Sequence, residues 1–248
     1  MVAAFDQSLR GRMVRTALAR LLAELGTELV GLLASGSRFN GEPDLHSDLD
    51  LVGLISSPRA KRRTMVVEGV EVVVDLAPAR AVLRRFERDR AEGSGASQHM
   101  WASGVAAYDP HGALHPLMEE GARQRSAGPK PVSDDERWRL RLVPARMLDD
   151  CEALVERDSG QAAYVLQYAV DRLLHAYCRA RGQWTPKAKH AIRLLDAPDP
   201  AGAALFRRAC DGALAERLAA AKALLEHCLA PLGGPMPREE WETPWYPV

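Results

Sequence analysis

The segment Ser47-Asp48-Leu49-Asp50-Leu51-Val52-Gly53-Leu54-Ile55 constrains the fold of this chain more than any other. Its apolar run is far too short to cross a bilayer and reads as a buried strand, Asp48–Ile55. Two carboxylates nevertheless stand at its head. Residues two apart on a strand point the same way, so Asp48 and Asp50 share one face while Leu49 and Leu51 enter a core. Like charges held so close are costly unless a cation offsets them. Hard oxygen ligands and an open site suit Mg²⁺, whose remaining ligands would be waters or phosphate oxygens.

The residues before the strand point the same way. Residues 28–34 read as a short buried strand, and a long polar loop, Gly36–Ser47, joins it to the acidic one. Gly36 lets backbone approach a phosphate, and the amide and hydroxyl of Ser37 can donate to it. Arg38 adds a cation for a polyphosphate, and Ser47 adjoins the first acid. Farther on, Met65–Val67 and Val70–Leu76 flank Glu68-Gly69, the signature of a hairpin. Glu71 and Asp75 lie four apart on its second strand and share a face, so either can supply a third carboxylate.

Gly-Ser, ten intervening residues, then Asp-x-Asp, with a further acid on a nearby strand, resembles the polymerase-β-like nucleotidyltransferase superfamily. Val70-Glu71-Val72, Tyr108-Asp109-x-x-Gly112, a helical second half and a Trp/Pro-rich tail are similar to the kanamycin nucleotidyltransferase and aminoglycoside adenylyltransferase group. The resemblance implies an α+β fold, a small mixed-sheet domain followed by a helical bundle. It implies Mg²⁺-dependent transfer of a nucleoside monophosphate, AMP from ATP, to a hydroxyl of a small polyhydroxylated acceptor such as an aminoglycoside antibiotic, releasing pyrophosphate. Gly36, Ser37, Arg38 and Ser47 would hold the nucleotide. Asp48, Asp50 and either Glu71 or Asp75 would hold the metal. Glu152 is similar to the group's general base, with Asp149 and Glu156 on the same acidic stripe. Lys187, with Lys189 beside it, is similar to a lysine that reaches the triphosphate. Relatives of this kind also form homodimers. Two other readings stay open: a protein acceptor, as in enzymes that modify toxins, and a nucleotide-binding regulator without turnover.

Composition narrows the rest. With 33 basic and 33 acidic residues the formal charge is zero, which argues against a non-specific nucleic-acid binder. Asp6 and Arg10 stand where a signal peptide needs an apolar run, and Cys151, Cys178, Cys210 and Cys228 form no CxxC, so a cytoplasmic protein with reduced thiols is expected. A helix is expected over 5–25, ending at Gly26, and another from Pro78 to about Arg90. Glu92–Gln98 reads as a loop and Val105–Tyr108 as a strand. Gly112 and Pro116 argue against a zinc pair at His111 and His115. Arg59, Lys61, Arg62 and Arg63 read as a solvated turn. Gly128, Pro129 and Pro131 mark a linker between domains 1–128 and 129–248. Beyond it, helices are expected over 134–157, 160–181, 186–196, 202–210 and 212–230, with Ser133 and Glu136 as a capping box and Pro186 at a first helical position. His175 reads as a core histidine, and Trp241, Trp245 and Tyr246 as packing aromatics of the tail.

Overall fold

A computed structural model describes residues 9–36 and 49–237. The chain divides into two compact units, Met1–Pro129 and Lys130–Val248. The first is a five-stranded mixed sheet with helices; the second is helical, so the fold is α+β.

The first unit opens with helix α1 (Leu9–Leu25), whose Met13, Val14, Ala17, Leu18 and Leu21 are buried. This is one apolar stripe at helical spacing. Gly26, at φ 52, turns the chain through a short 3₁₀ segment into β1 (Leu29–Ser35). Strands β2 (Leu49–Ile55), β3 (Lys61–Val67) and β4 (Val70–Ala77) follow. Glu68 and Gly69 both take positive φ, 51° and 78°, as a two-residue type I′ hairpin turn requires. After β4 come α2 (Ala79–Glu92), α3 (Ala96–Ser103), β5 (Val105–Tyr108) and α4 (His115–Ala127). The sheet order is β3-β4-β2-β1-β5. The β2–β4 pair is parallel and the others are antiparallel.

Alternation along the strands divides the core in two. Leu49, Leu51, Val72, Val74 and Leu76 pack with α1 on one face. Val52, Leu54 and Ala77 pack on the other with Val82 and Phe86 of α2, Trp101 of α3 and Leu117 of α4. The central strands are therefore apolar on both faces, as strands covered on two sides must be.

Three sequence expectations need correcting here. Helix α3 begins inside the stretch read as a loop, because buried polar groups rather than an apolar stripe define it. Gln98 donates to the Phe86 carbonyl at 2.6 Å and to Gln124 at 3.2 Å, and Asp89 accepts from the Ser97 amide at 2.9 Å. Helix α4 carries Pro116 in its first turn, where proline is tolerated, so it starts a helix instead of breaking one. Its His115 faces Glu119 at 3.1 Å. The basic run is no turn: Lys61, Arg62 and Arg63 belong to the edge strand β3.

The second unit contains α5 (Asp134–Leu154), α6 (Ser159–Ala180), α7 (Ala191–Leu195), α8 (Pro200–Cys210) and α9 (Leu214–Leu229). Leu148, Cys151, Leu166, Leu173, Tyr177, Phe206, Leu224 and Cys228 form its core. Ser133 caps α5 by accepting from the Glu136 amide at 3.2 Å. The Glu136 carboxylate, however, grips Arg179 of α6 at 2.6 and 2.8 Å instead of closing a capping box. Arg179 is 1% exposed and also donates to the Lys130 carbonyl at 2.9 Å, tying the start of this unit to its longest helix. Pro186 lies outside any helix: Lys187 caps a 3₁₀ turn, Ala188–His190, ahead of α7.

Candidate active site

The candidate site is assembled by strand register. Asp50 lies across from Ser35 on β1 and from Val73 on β4. Residues directly across a sheet share a face, and so do residues two apart on one strand. One face therefore carries Ser35, Asp50, Glu71, Val73 and Asp75. Farther along the same face, Val52, Leu54 and Ala77 are covered by the helices. Along this face of β4 Glu71 is exposed, Val73 buried, Asp75 partly buried and Ala77 buried. The acids stand where the sheet emerges from its helical cover.

Gly36, directly after β1, has φ 101. A Cβ built there would sit 2.9 Å from Asp50 Oδ2 and 3.4 Å from the Asp50 amide. Only glycine adopts this backbone without strain and without a Cβ pressed against the carboxylate. The space beside Asp50 is one that any side chain at position 36 would fill. A carboxylate held against bare backbone is an oxygen donor of the kind a hard cation takes. Ser37, Arg38, Ser47 and Asp48 lie outside the described residues. Among the described residues alone, no group of three or more His, Cys, Asp or Glu gathers as a metal site.

The two contenders for third acid differ in surroundings. Val73 is level with Asp50, so Glu71 and Asp75 each lie two residues away, roughly 7 Å along the strand in opposite directions. Glu71 lies at the end of the sheet from which β2 starts. Asp75 lies toward the helices, level with Val52 and across from Arg62 of β3. Its carboxylate is 4.0 Å from Arg62 Nε and 3.7 Å from Arg85 Nη1 of α2. Two guanidiniums thus attend Asp75. Reading 59–63 as a turn hid Arg62; the signal was the strand period, which sends Lys61 and Arg63 to one face and Arg62 to the other.

In the second unit, Glu152 is in the last turn of α5, and Lys222 of α9 holds its carboxylate at 2.6 Å. Asp149 faces Arg146 at 3.7 Å. Glu156 lies beyond the helix, which ends at Leu154, so the acidic stripe is shorter than its spacing suggests. Glu152, Glu156 and Lys222 line a shallow hollow of about 490 Å³. An adjacent one of about 280 Å³ is lined by Asp149, Lys222 and Glu226. Lys187 and Lys189 are exposed around the 3₁₀ turn.

His175 is partly buried, with Nδ1 3.2 Å from Thr185 Oγ1, and burial pushes its pKa down. The four thiols are free. Burial raises the Cys178 pKa to about 11 and that of Cys228 farther still. Sequence reasoning passed over a polar junction in this unit. Asp199 caps α8 through the Gly202 amide at 2.9 Å and meets His227 Nε2 at 2.6 Å. His227 stacks on Tyr177, over whose ring Arg181 also lies at 3.8 Å. Burial pulls the Asp199 carboxyl up, but the bonds from His227, the Gly202 amide and Tyr177 outweigh it and leave the carboxyl lowered. Helices α6, α8 and α9 meet there.

No family model matches the chain, and no curated protein matches it. Solved structures do. A nucleotidyltransferase-like protein from Exiguobacterium sibiricum 255-15 superposes with a TM-score of 0.50 at 15% identity. The match covers 88% of this chain and 74% of that one. At this identity the likeness is one of fold: the chain has the α+β architecture of a nucleotidyltransferase-like protein. Among the described residues, no helix is long and apolar enough to cross a membrane.

Proposed function

We propose that this protein is a nucleotidyltransferase that moves a nucleoside monophosphate, AMP from ATP, onto a hydroxyl of a small polyhydroxylated acceptor, of which an aminoglycoside is one kind, and releases pyrophosphate. The observation that carries the reading is Gly36 against Asp50: a positive-φ glycine ending β1, whose missing Cβ lets backbone lie close against the carboxylate of an Asp-x-Asp strand. The fold it shares with the Exiguobacterium protein supports the same class of chemistry.

Asp48, Asp50 and Glu71 would hold Mg²⁺, which would supply positive charge to offset what builds up during phosphoryl transfer. Glu71 is favoured over Asp75 because two arginines already attend Asp75. Gly36, Ser37, Arg38 and Ser47 form the phosphate-binding segment of the proposal, and Lys187 and Lys189 supply further cations for the nucleotide. The acceptor hydroxyl needs a base. Glu152 keeps that role in the proposal, and Lys222 must release its carboxylate before it can take a proton.

The test uses labelled ATP with Mg²⁺ and a panel of aminoglycosides and other hydroxylated metabolites. Pyrophosphate release with label on a panel member is the expected result. Label on a protein instead would give the acceptor to a macromolecule. ATP binding without release would leave a regulator.

A further inference from the structure

The cations of β3 divide by face. Lys61 and Arg63 both reach Glu24 of α1, Lys61 at 3.6 Å. They serve the covered side of the sheet. Arg62 points the other way, to the face that carries Asp50. It is 69% exposed, and its cross-strand partner is Asp75. Arg85 reaches the same carboxylate from α2, one residue before the buried Phe86.

The geometry of this trio is loose. At 4.0 and 3.7 Å, neither guanidinium is within hydrogen-bonding distance of Asp75. Asp75 is 19% exposed and carries one negative charge for two positive ones. The excess is one positive charge, beside the site and on the same face as Asp50. A carboxylate that only attracts two guanidiniums holds them near one place without using up their fork of donors. Phosphate oxygens are the ligands such forks fit in bidentate fashion.

Resting on the nucleotidyltransferase reading, we infer that Arg62 and Arg85 bind the polyphosphate end of the nucleotide and the pyrophosphate it leaves, with Asp75 as the counter-ion that positions them. The acid on β4 nearer the helices is then part of an anion site. This gives Arg62 a task that Lys61 and Arg63, already occupied by Glu24, do not share.

The probe is inorganic tripolyphosphate, titrated calorimetrically into the full chain with Mg²⁺ in fixed excess. Arg62→Ala and Arg85→Ala are compared with Arg84→Ala, an exposed neighbour on α2 that controls for lost surface charge. Thermal melts confirm folding, and Arg85→Lys keeps the charge should the alanine variant be unstable. Each clamp substitution should weaken tripolyphosphate binding by at least ~10-fold, as loss of a charge-assisted bond does, while Arg84→Ala changes it less than about twofold. Unchanged binding in both clamp variants overturns the inference. So does an equal loss in Arg84→Ala, or a wild-type protein that does not bind the probe. The two readings fail separately. A protein that binds tripolyphosphate through these arginines but releases no pyrophosphate from any nucleotide sinks the transferase and keeps the clamp. One that turns over with a KM for ATP indifferent to both arginines does the reverse.

Discussion

A single missing methyl group decides much at the residue scale. Gly36→Ala would place a Cβ 2.9 Å from Asp50 Oδ2 on a backbone at φ 101. The carboxylate must then move by several tenths of an ångström. Misplacing a reacting group by about 1 Å can cost ~10²-fold in rate. Gly36→Ala is expected to lower kcat by up to that factor and, because a side chain at this positive φ is strained, to lower the thermal midpoint as well; kinetics and calorimetry on one preparation check both. The thiols give a second residue-level outcome. With Cys178 raised to about 11 and Cys228 beyond it, both remain protonated and unreactive near pH 8. A thiol reagent should label neither until denaturant is added, and rapid native labelling of either would contradict their burial.

Secondary elements meet through a few polar anchors. Arg179 joins α5 to α6 while nearly wholly buried. Removing one partner of such a pair strands the other, so Arg179→Ala should cost roughly 3 kcal/mol in denaturant unfolding. The Asp199 junction makes a pH prediction whose sign is set by its lowered carboxyl. A depressed folded-state pKa contributes stability that is complete above the unfolded value of about 3.9 and is lost as pH falls through the folded one. The midpoint difference between wild type and Asp199→Ala should therefore be widest near neutrality and narrow below about pH 4. A difference constant down to pH 2 would contradict the assignment. Legibility at this scale followed periodicity. Strands β1, β2 and β4 carry apolar runs, and the long helices α1, α5, α6 and α9 carry apolar stripes. Helix α3 did not show in the sequence because buried glutamines shape it. Helix α4 was missed because Pro116 reads as a breaker until it is known to sit in a first turn. The division of labour between Arg62 and its neighbours required knowing that the strand begins at Lys61. Glu136 in place of a reciprocal cap, and His227 on Asp199, depend on helices far apart in sequence, which no local pattern reports.

The whole molecule is two units, each with its own core. A fragment ending at Pro129 should melt cooperatively, since its sheet is covered on both faces by its own helices. The strand that carries Asp50 was readable from sequence because a short apolar run bounded by a polar loop is a local signal. The surroundings that tell Glu71 from Asp75 were not, since a neighbouring strand and helix bring the arginines beside Asp75. The central claim is that Asp50 works on a nucleoside triphosphate. It is tested most directly by pyrophosphate release from ATP by Asp50→Asn beside wild type, with Mg²⁺ and an accepted hydroxyl compound. The side chain keeps its shape and loses the charge proposed to hold the cation. A loss of at least ~10³-fold with the melting midpoint retained is the expected result; near-wild-type release by Asp50→Asn would remove Asp50 from the chemistry.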